Sequence, residues 1–210
     1  MTTRALEAGA DLLQDKTPLQ ALDTYMDGFH FYNGDFNGQM EAHHYCGHLS
    51  EKVIQCVIFD GNGKDAKIIG VEYVLSRELF EALPTEEKHL WHSHAYEVRS
   101  GQLIAPRIPR VAEHELMKKL ATTYGKTWHT WHTDRHEEIP SGAPTLMMGF
   151  TRDGQIDEQM VAERDERFGV SSTAIRQNRA DIDYPPIDPD ADAWQKGVIM
   201  QAEIRREDAR

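Results

Sequence analysis

Eleven histidines stand in this 210-residue chain, and seven of them fall in three short segments: Glu41–His48 (EAHHYCGH), Trp91–Glu97 (WHSHAYE) and Trp128–His132 (WHTWH). Each segment reads as a β-strand or a strand end, where alternate side chains share a face. His44, Cys46 and His48 then point one way and His43 and Tyr45 the other. His92 and His94 share a face, as do His129 and Trp131. A His-x-His pair projects two imidazoles side by side, which suits two ligands of one metal ion. A third imidazole from a neighbouring strand, or the carboxylate of Glu97, completes a set that leaves a position open for water, substrate or dioxygen. The expected metal ligands are therefore His44, His48, His92, His94 and His129, with Glu97 and His129 as the groups for catalysis. A mixed histidine and carboxylate set fits iron, zinc, manganese or copper.

Two other readings use the same residues: a satisfied structural hydrogen-bond network, or metal-free acid–base chemistry by imidazoles that titrate near neutral pH. His30, His89, His114 and His136 read as surface or helix-end residues. Cys46 reads as a soft ligand, a nucleophile or a small buried strand residue, and Cys56, inside VIQCVIF, as core. Two cysteines are too few for a secreted disulfide scaffold, so both are expected as free thiols in a reducing compartment. Glu72 is a carboxylate in an apolar run; it reads either as a partner orienting a cluster histidine or as an exposed side chain. No phosphate-binding glycine loop, Gly-x-Ser-x-Gly elbow, His-Glu-x-x-His helix or Cys-x-x-Cys pair is present.

Charge and hydropathy narrow the partners. A net charge of −12 repels phosphate backbones, which argues against nucleic acid. The basic run with Arg107, Arg110, Lys118, Lys119 and Lys126 reads as a solvated helix face. No apolar run approaches the roughly 20 residues of a spanning helix, and the first residues lack a signal-peptide core. A cytoplasmic chain is expected, with a small-molecule or lipid-like ligand and at most peripheral contact with a lipid surface.

These residues need a scaffold, and the pattern supplies one. Short helices are expected at Arg4–Gln14 and from Pro18, where Leu19, Leu22 and Met26 have helical spacing. Gly28, Asn33-Gly34 and Asn37-Gly38 read as turns. Val53–Asp60 and Ala66–Leu75 read as adjacent strands, and Ser76 caps a helix carrying Leu79, Phe80 and Leu83. Trp91–Ala105 reads as strand, Pro109–Tyr124 as a helix stopped by Gly125, and Lys126–Thr133 and Thr145–Thr151 as strands. Beyond Asp157 come a charged helix at Gln159–Phe168, an irregular Pro/Asp stretch at Asp181–Asp192, and an amphipathic helix at Ala193–Arg210. The expected fold class is α+β: a mixed or antiparallel sheet with two or more covering helices and an irregular acidic C-terminal extension. Residues 1–156 form one domain, with 157–210 packed on it or trailing from it.

Five stretches carry a resemblance: GFHFYNGD (Gly28–Asp35), EAHHYCGHL (Glu41–Leu49), IGVEYVLS (Ile69–Ser76), LWHSHAYEVRSGQLIAP (Leu90–Pro106) and YGKTWHTW (Tyr124–Trp131). In this order, across about residues 18–151, they resemble the oil-body-associated protein family of plant seeds and its fungal and bacterial relatives. The matching positions are His43, His44, Cys46, His48, His92, His94, Glu97 and His129. The family often has glutamine where this chain has His132, which sets that histidine apart. The resemblance implies a lipid-droplet surface location and no settled reaction. A metal-binding protein, extending to a metal-dependent enzyme on a small or lipid-like substrate, stands against a non-enzymatic lipid-droplet or interaction protein whose histidines are structural.

Overall fold

The computed structural model of the chain describes residues 17–206, so the helix expected at Arg4–Gln14 lies outside the described residues. Strand β1 spans Thr24–Tyr32, β2 Asp35–Ser50, β3 Val53–Phe59 and β4 Ile68–Ser76. After them come β5 at His92–Ser93, β6 at Thr123–His129 and β7 at Thr145–Met148. Neighbours run β4-β3-β2-β1-β7-β6, and β6 pairs back onto β4 from Gly70↔His129 to Ser76↔Thr123. All pairings are antiparallel. The result is a closed six-stranded barrel with β5 as an added strand, which corrects the expectation of an open sheet under covering helices. Closure removes the long open edges that β4 and β6 would otherwise present.

The helix expected from Pro18 forms only as one turn, α1 (Thr17–Gln20), and β1 replaces the rest of it and the turn expected at Gly28; α2 (Arg77–Glu81) and α3 (Thr85–Lys88) are likewise short. The β1 sequence, TYMDGFHFY, is rich in aromatic strand formers, and both of its faces are buried from Met26 onward. Met26, Gly28 and His30 line the barrel interior. Phe29 and Phe31 pack outward against Leu146, Met148 and Phe150. Only Asn33-Gly34 is the expected turn, with Gly34 at φ 95°.

Along the barrel axis a polar layer lies between two apolar plugs. At one end Met26, Cys46 and Cys56 meet Val98 of α4 (Ala95–Ser100) and Met117 and Leu120 of α5 (Arg110–Leu120). At the other, Tyr32, Met40, Ala42, Ile58 and Met147 pack together. Period two makes the inward order along β2 Met40, Ala42, His44, Cys46, so His44 sits between the plugs. Glu72 of β4 and Thr127 and His129 of β6 occupy the same level and are buried.

Trp91–Ala105 is not one strand. After two residues of β5 the chain turns into α4, whose Ala, Glu and Arg favour helix, and Gly101 ends it at φ 82° in the left-handed region. The helices near Arg77 and Pro109 form as Arg77–Glu81, capped by Ser76, and as α5. Helix α6 spans Glu158–Phe168. Where a helix over Ala193–Arg210 was expected, the described residues 193–206 form a single 3₁₀ turn, Ala193–Lys196, ended by Gly197; Gln201 beyond it is held instead by hydrogen bonds to the Leu146 and Asn33 backbone. The two cysteines expected as free thiols are bonded: they face each other across β2 and β3 with Cα atoms 4.1 Å apart, and the inference of a reducing compartment loses its basis.

Candidate metal centre

Inside the barrel, Glu72 is the hub. Its Oε2 lies 2.9 Å from His44 Nε2 and 3.9 Å from His30 Nε2. Its Oε1 lies 3.0 Å from His94 Nε2 and 3.8 Å from His92 Nε2. Glu97, on α4, adds an oxygen 3.9 Å from His92 Nε2. Two groups able to hold a metal ion therefore share one carboxylate: His30, His44 and Glu72, and Glu72, His92 and His94, the ligand atoms of each within 4.8 Å of one another. The ring of His129 stands 5.5 Å from that of His30, fully buried, with neither nitrogen hydrogen-bonded.

Proton positions at this hub follow from the outer hydrogen bonds. His44 Nδ1 lies 3.1 Å from the carbonyl of Ala42, which can only accept, so Nδ1 carries the proton. His94 Nδ1 lies 2.8 Å from Thr123 Oγ1, and that hydroxyl gives its own proton to the carbonyl of Leu120. Thr123 therefore accepts from His94 Nδ1. With each ring neutral, both Nε2 atoms aim a lone pair at an oxygen of Glu72. Lone pairs held 3 Å apart in a dry interior repel, unless a cation lies between them or both rings carry a second proton. Ligand atoms bound at about 2.1 Å to one ion, at angles of roughly 90–110°, lie about 3.0–3.4 Å apart, so each imidazole–carboxylate pair has the spacing of two ligands of one ion. Metal-ligating histidines also donate their other N–H to an oxygen acceptor, as His44 and His94 do.

The electrostatics agree. Burial pushes His92 and His129 down to about 3, and burial with the neighbouring His44 pushes His30 well below the ordinary histidine range. Glu72 stays ionised, well below the usual carboxylate range: burial opposes its charge, but His44 and His94 outweigh it. Glu97 is pushed well above that range by burial, then by Glu72 and Asp192. The layer thus sets one carboxylate beside His30, His92 and His129, which burial keeps uncharged, and a protonated Glu97, with no lysine or arginine ion-paired to Glu72 among the described residues.

Space for the cluster is made by glycine. A Cβ on Gly125 would run into Glu72 Oε1 and stand 2.7 Å from His94 Nε2. One on Gly149 would stand 2.8 Å from Glu97 Cδ. Gly125 read as a helix stop in the sequence; the helix ends earlier, at Leu120, and Gly125 lies within β6, where it opens the space for the cluster. The remaining cavity is about 20 Å³ and is lined by His30, His44, Glu72, His94, Glu97 and Cys56. That is room for about one water molecule.

The layer gathers His44, His92, His94, His129 and Glu97, and adds His30 and Glu72, which were not assigned as ligands. His30 is buried on β1, not at a surface or helix end. His48 does not join: β2 runs past the barrel rim with a register shift there, and His48 is exposed. His132 is buried near the far plug, bonded to Tyr32 and Thr145. His43 faces outward, between Asp27 and Glu41.

A closed antiparallel barrel enclosing a histidine–carboxylate layer defines the class: a small barrel protein with an internal polar site. Comparison with known proteins gives the family. The pattern of the family described as "Protein of unknown function (DUF1264)" matches residues 16–183. The chain is 43% identical to oil body-associated protein 1A of Zea mays, covering 98% of this chain and 87% of that one. It is 41% identical to oil body-associated protein 1B of Arabidopsis thaliana, over 98% and 86%. The chain belongs to this oil-body-associated family. No solved structure matches it. Among the described residues, no helix is long and apolar enough to cross a membrane.

Proposed function

We propose that the chain binds a transition-metal ion inside the barrel at the Glu72 carboxylate, held with His44 and His30 at one oxygen or with His94 and His92 at the other. The observation that carries this is the orientation of His44 and His94: each has its Nδ1 proton committed to an oxygen, and each turns Nε2 to the same buried carboxylate. Iron, zinc, manganese and copper all suit such ligands. The ion would supply Lewis-acid or redox chemistry to a bound molecule. Glu97, kept protonated by its surroundings, is placed to hand over or take up a proton beside it. His129 lies one ring further out and serves as an alternative ligand or proton acceptor. Room for about one water sets the substrate: it is water- or dioxygen-sized, or it enters when α4 and α5 lift from the barrel mouth.

The test is metal content. Purified without an affinity tag and supplemented with each ion in turn, the full chain should hold about one equivalent of at least one of them, and Glu72→Gln should hold almost none. Below about 0.1 ion per chain for every metal, with the chain folded, the reading fails.

The names of the relatives support a second, compatible location. An apolar groove of about 290 Å³ on the outer barrel, lined by Leu19, Leu22, Tyr45 and Phe59, gives a surface for peripheral lipid contact. The chain should float with triacylglycerol droplets, and Leu19→Asp with Leu22→Asp should reduce the bound fraction. Equal flotation of variant and parent would count against this groove.

A further inference from the structure

The cysteine pair lies in the row of residues that holds the metal cradle. Cys46 follows His44 by two positions on the inner face of β2. Cys56 pairs across to Cys46 on one side and to Glu72 on the other. Residues paired in register on one face of a sheet have Cβ atoms about 5 Å apart, so a Cys56 sulfur is within reach of an ion bound at Glu72. Cys56 also lines the same small cavity as Glu72, His44 and His94. Both cysteines are buried, with no exposed surface to explain a bridge there. In the disulfide, neither sulfur is a thiolate donor; in the thiol pair, both are.

We propose that the Cys46–Cys56 bond gates the ligand set of the barrel metal. With the disulfide formed, the site offers only imidazole nitrogen and carboxylate oxygen. Exchange with a small dithiol breaks the S–S bond: two electrons and two protons pass to Cys46 and Cys56, and the dithiol leaves as its own disulfide. On metal binding the Cys56 thiol gives up its proton, and its sulfur enters the coordination shell beside Glu72. Soft thiolate favours zinc and copper(I) over manganese, so reduction converts a hard site to a borderline one. This rests on the metal reading above.

The experiment uses the full chain in two forms. One has no thiols reactive in denaturant; the other is reduced by a dithiol and then freed of it without air. Zinc affinity should rise at least about tenfold on reduction, and manganese affinity should change far less. Cobalt(II) in the reduced chain should show a near-ultraviolet thiolate-to-metal charge-transfer band, absent from the oxidised chain and from Cys56→Ser. The cobalt band in unsubstituted protein needs no variant to fold. Equal zinc affinity in both forms without the thiolate band overturns the gate and leaves the metal reading standing. Failure of both forms to bind any metal overturns both.

Discussion

Two clusters of this molecule are built from the same residue types and end in opposite states. On the outer face of the barrel, Asp27, Glu41 and His43 converge closely enough to suggest a metal site of their own. There the protein supplies the cations. Arg164, fully buried on α6, lies 3.1 Å from Asp27 and donates to the carbonyls of Gln102 and Gly101, while Arg167 pairs with Glu41. That cluster is a clamp fastening α6 to β1. Inside the barrel the same mixture has no protein cation at its carboxylate, and its imidazoles offer lone pairs where a clamp would offer protons. A histidine–carboxylate group is a metal site only when the chain has not already neutralised it.

The contrast predicts separable effects. Arg164→Met leaves Asp27 buried without its guanidinium partner and with only His43 beside it, which should cost about 3–5 kcal/mol in denaturant unfolding. Its metal content per folded chain should stay at the parent value; a loss there would make the outer cluster part of the site. Reducing the disulfide, which closes a loop of 10 residues' separation, should cost about 2–3 kcal/mol of stability in the metal-free chain. Gly125→Ala should follow, costing about 1–3 kcal/mol by overpacking and abolishing metal binding because its methyl group fills the cradle.

Asp192, held by Ser93 between His92 and His94, gives a pH dependence of its own. Burial raises it to about 7, against a hydrogen bond from the Ser93 N–H. The folded carboxyl therefore keeps its proton where the unfolded one has lost it. Stability falls as pH rises from about 4 to about 7, and the full penalty holds above that. Asp192→Asn, tolerated at its left-handed φ of 51°, should flatten that part of the curve in urea titrations at pH 5 and pH 8. An unchanged slope would mean that Asp192 is ionised when folded. The smallest effect belongs to His48→Ala: within about 0.5 kcal/mol of the parent, with full metal content.

Much of the site was legible in the sequence, for reasons that also mark where legibility stopped. Period two placed His44 inward and His43 outward, and put His92 beside His94. It failed at His48, because alternation carries no information about where a barrel ends. His30 was hidden by Gly28, read as a turn, although the strand holds glycine there to make room for Leu103. Glu72 stood out as a carboxylate in an apolar strand, yet its place at the centre depends on the pairings to β3 and β6, which are set by distant residues. The same non-local β4–β6 pairing turned the expected antiparallel sheet into a barrel. The aromatic residues of Trp91–Ala105 read as strand, whereas the Ala-Tyr-Glu-Val-Arg-Ser core followed by glycine closes a short helix that brings Glu97 inward.

On the proposed reading, a cation belongs at the Glu72 carboxylate, beside His44 Nε2 or His94 Nε2. Anomalous-scattering crystallography of the metal-loaded chain tests this placement most directly. One strong anomalous peak is expected inside the barrel, within about 2.3 Å of a Glu72 oxygen and of His44 Nε2 or His94 Nε2. A peak at Asp27, Glu41 and His43 instead, or an interior holding only water hydrogen-bonded to the imidazoles, would contradict it.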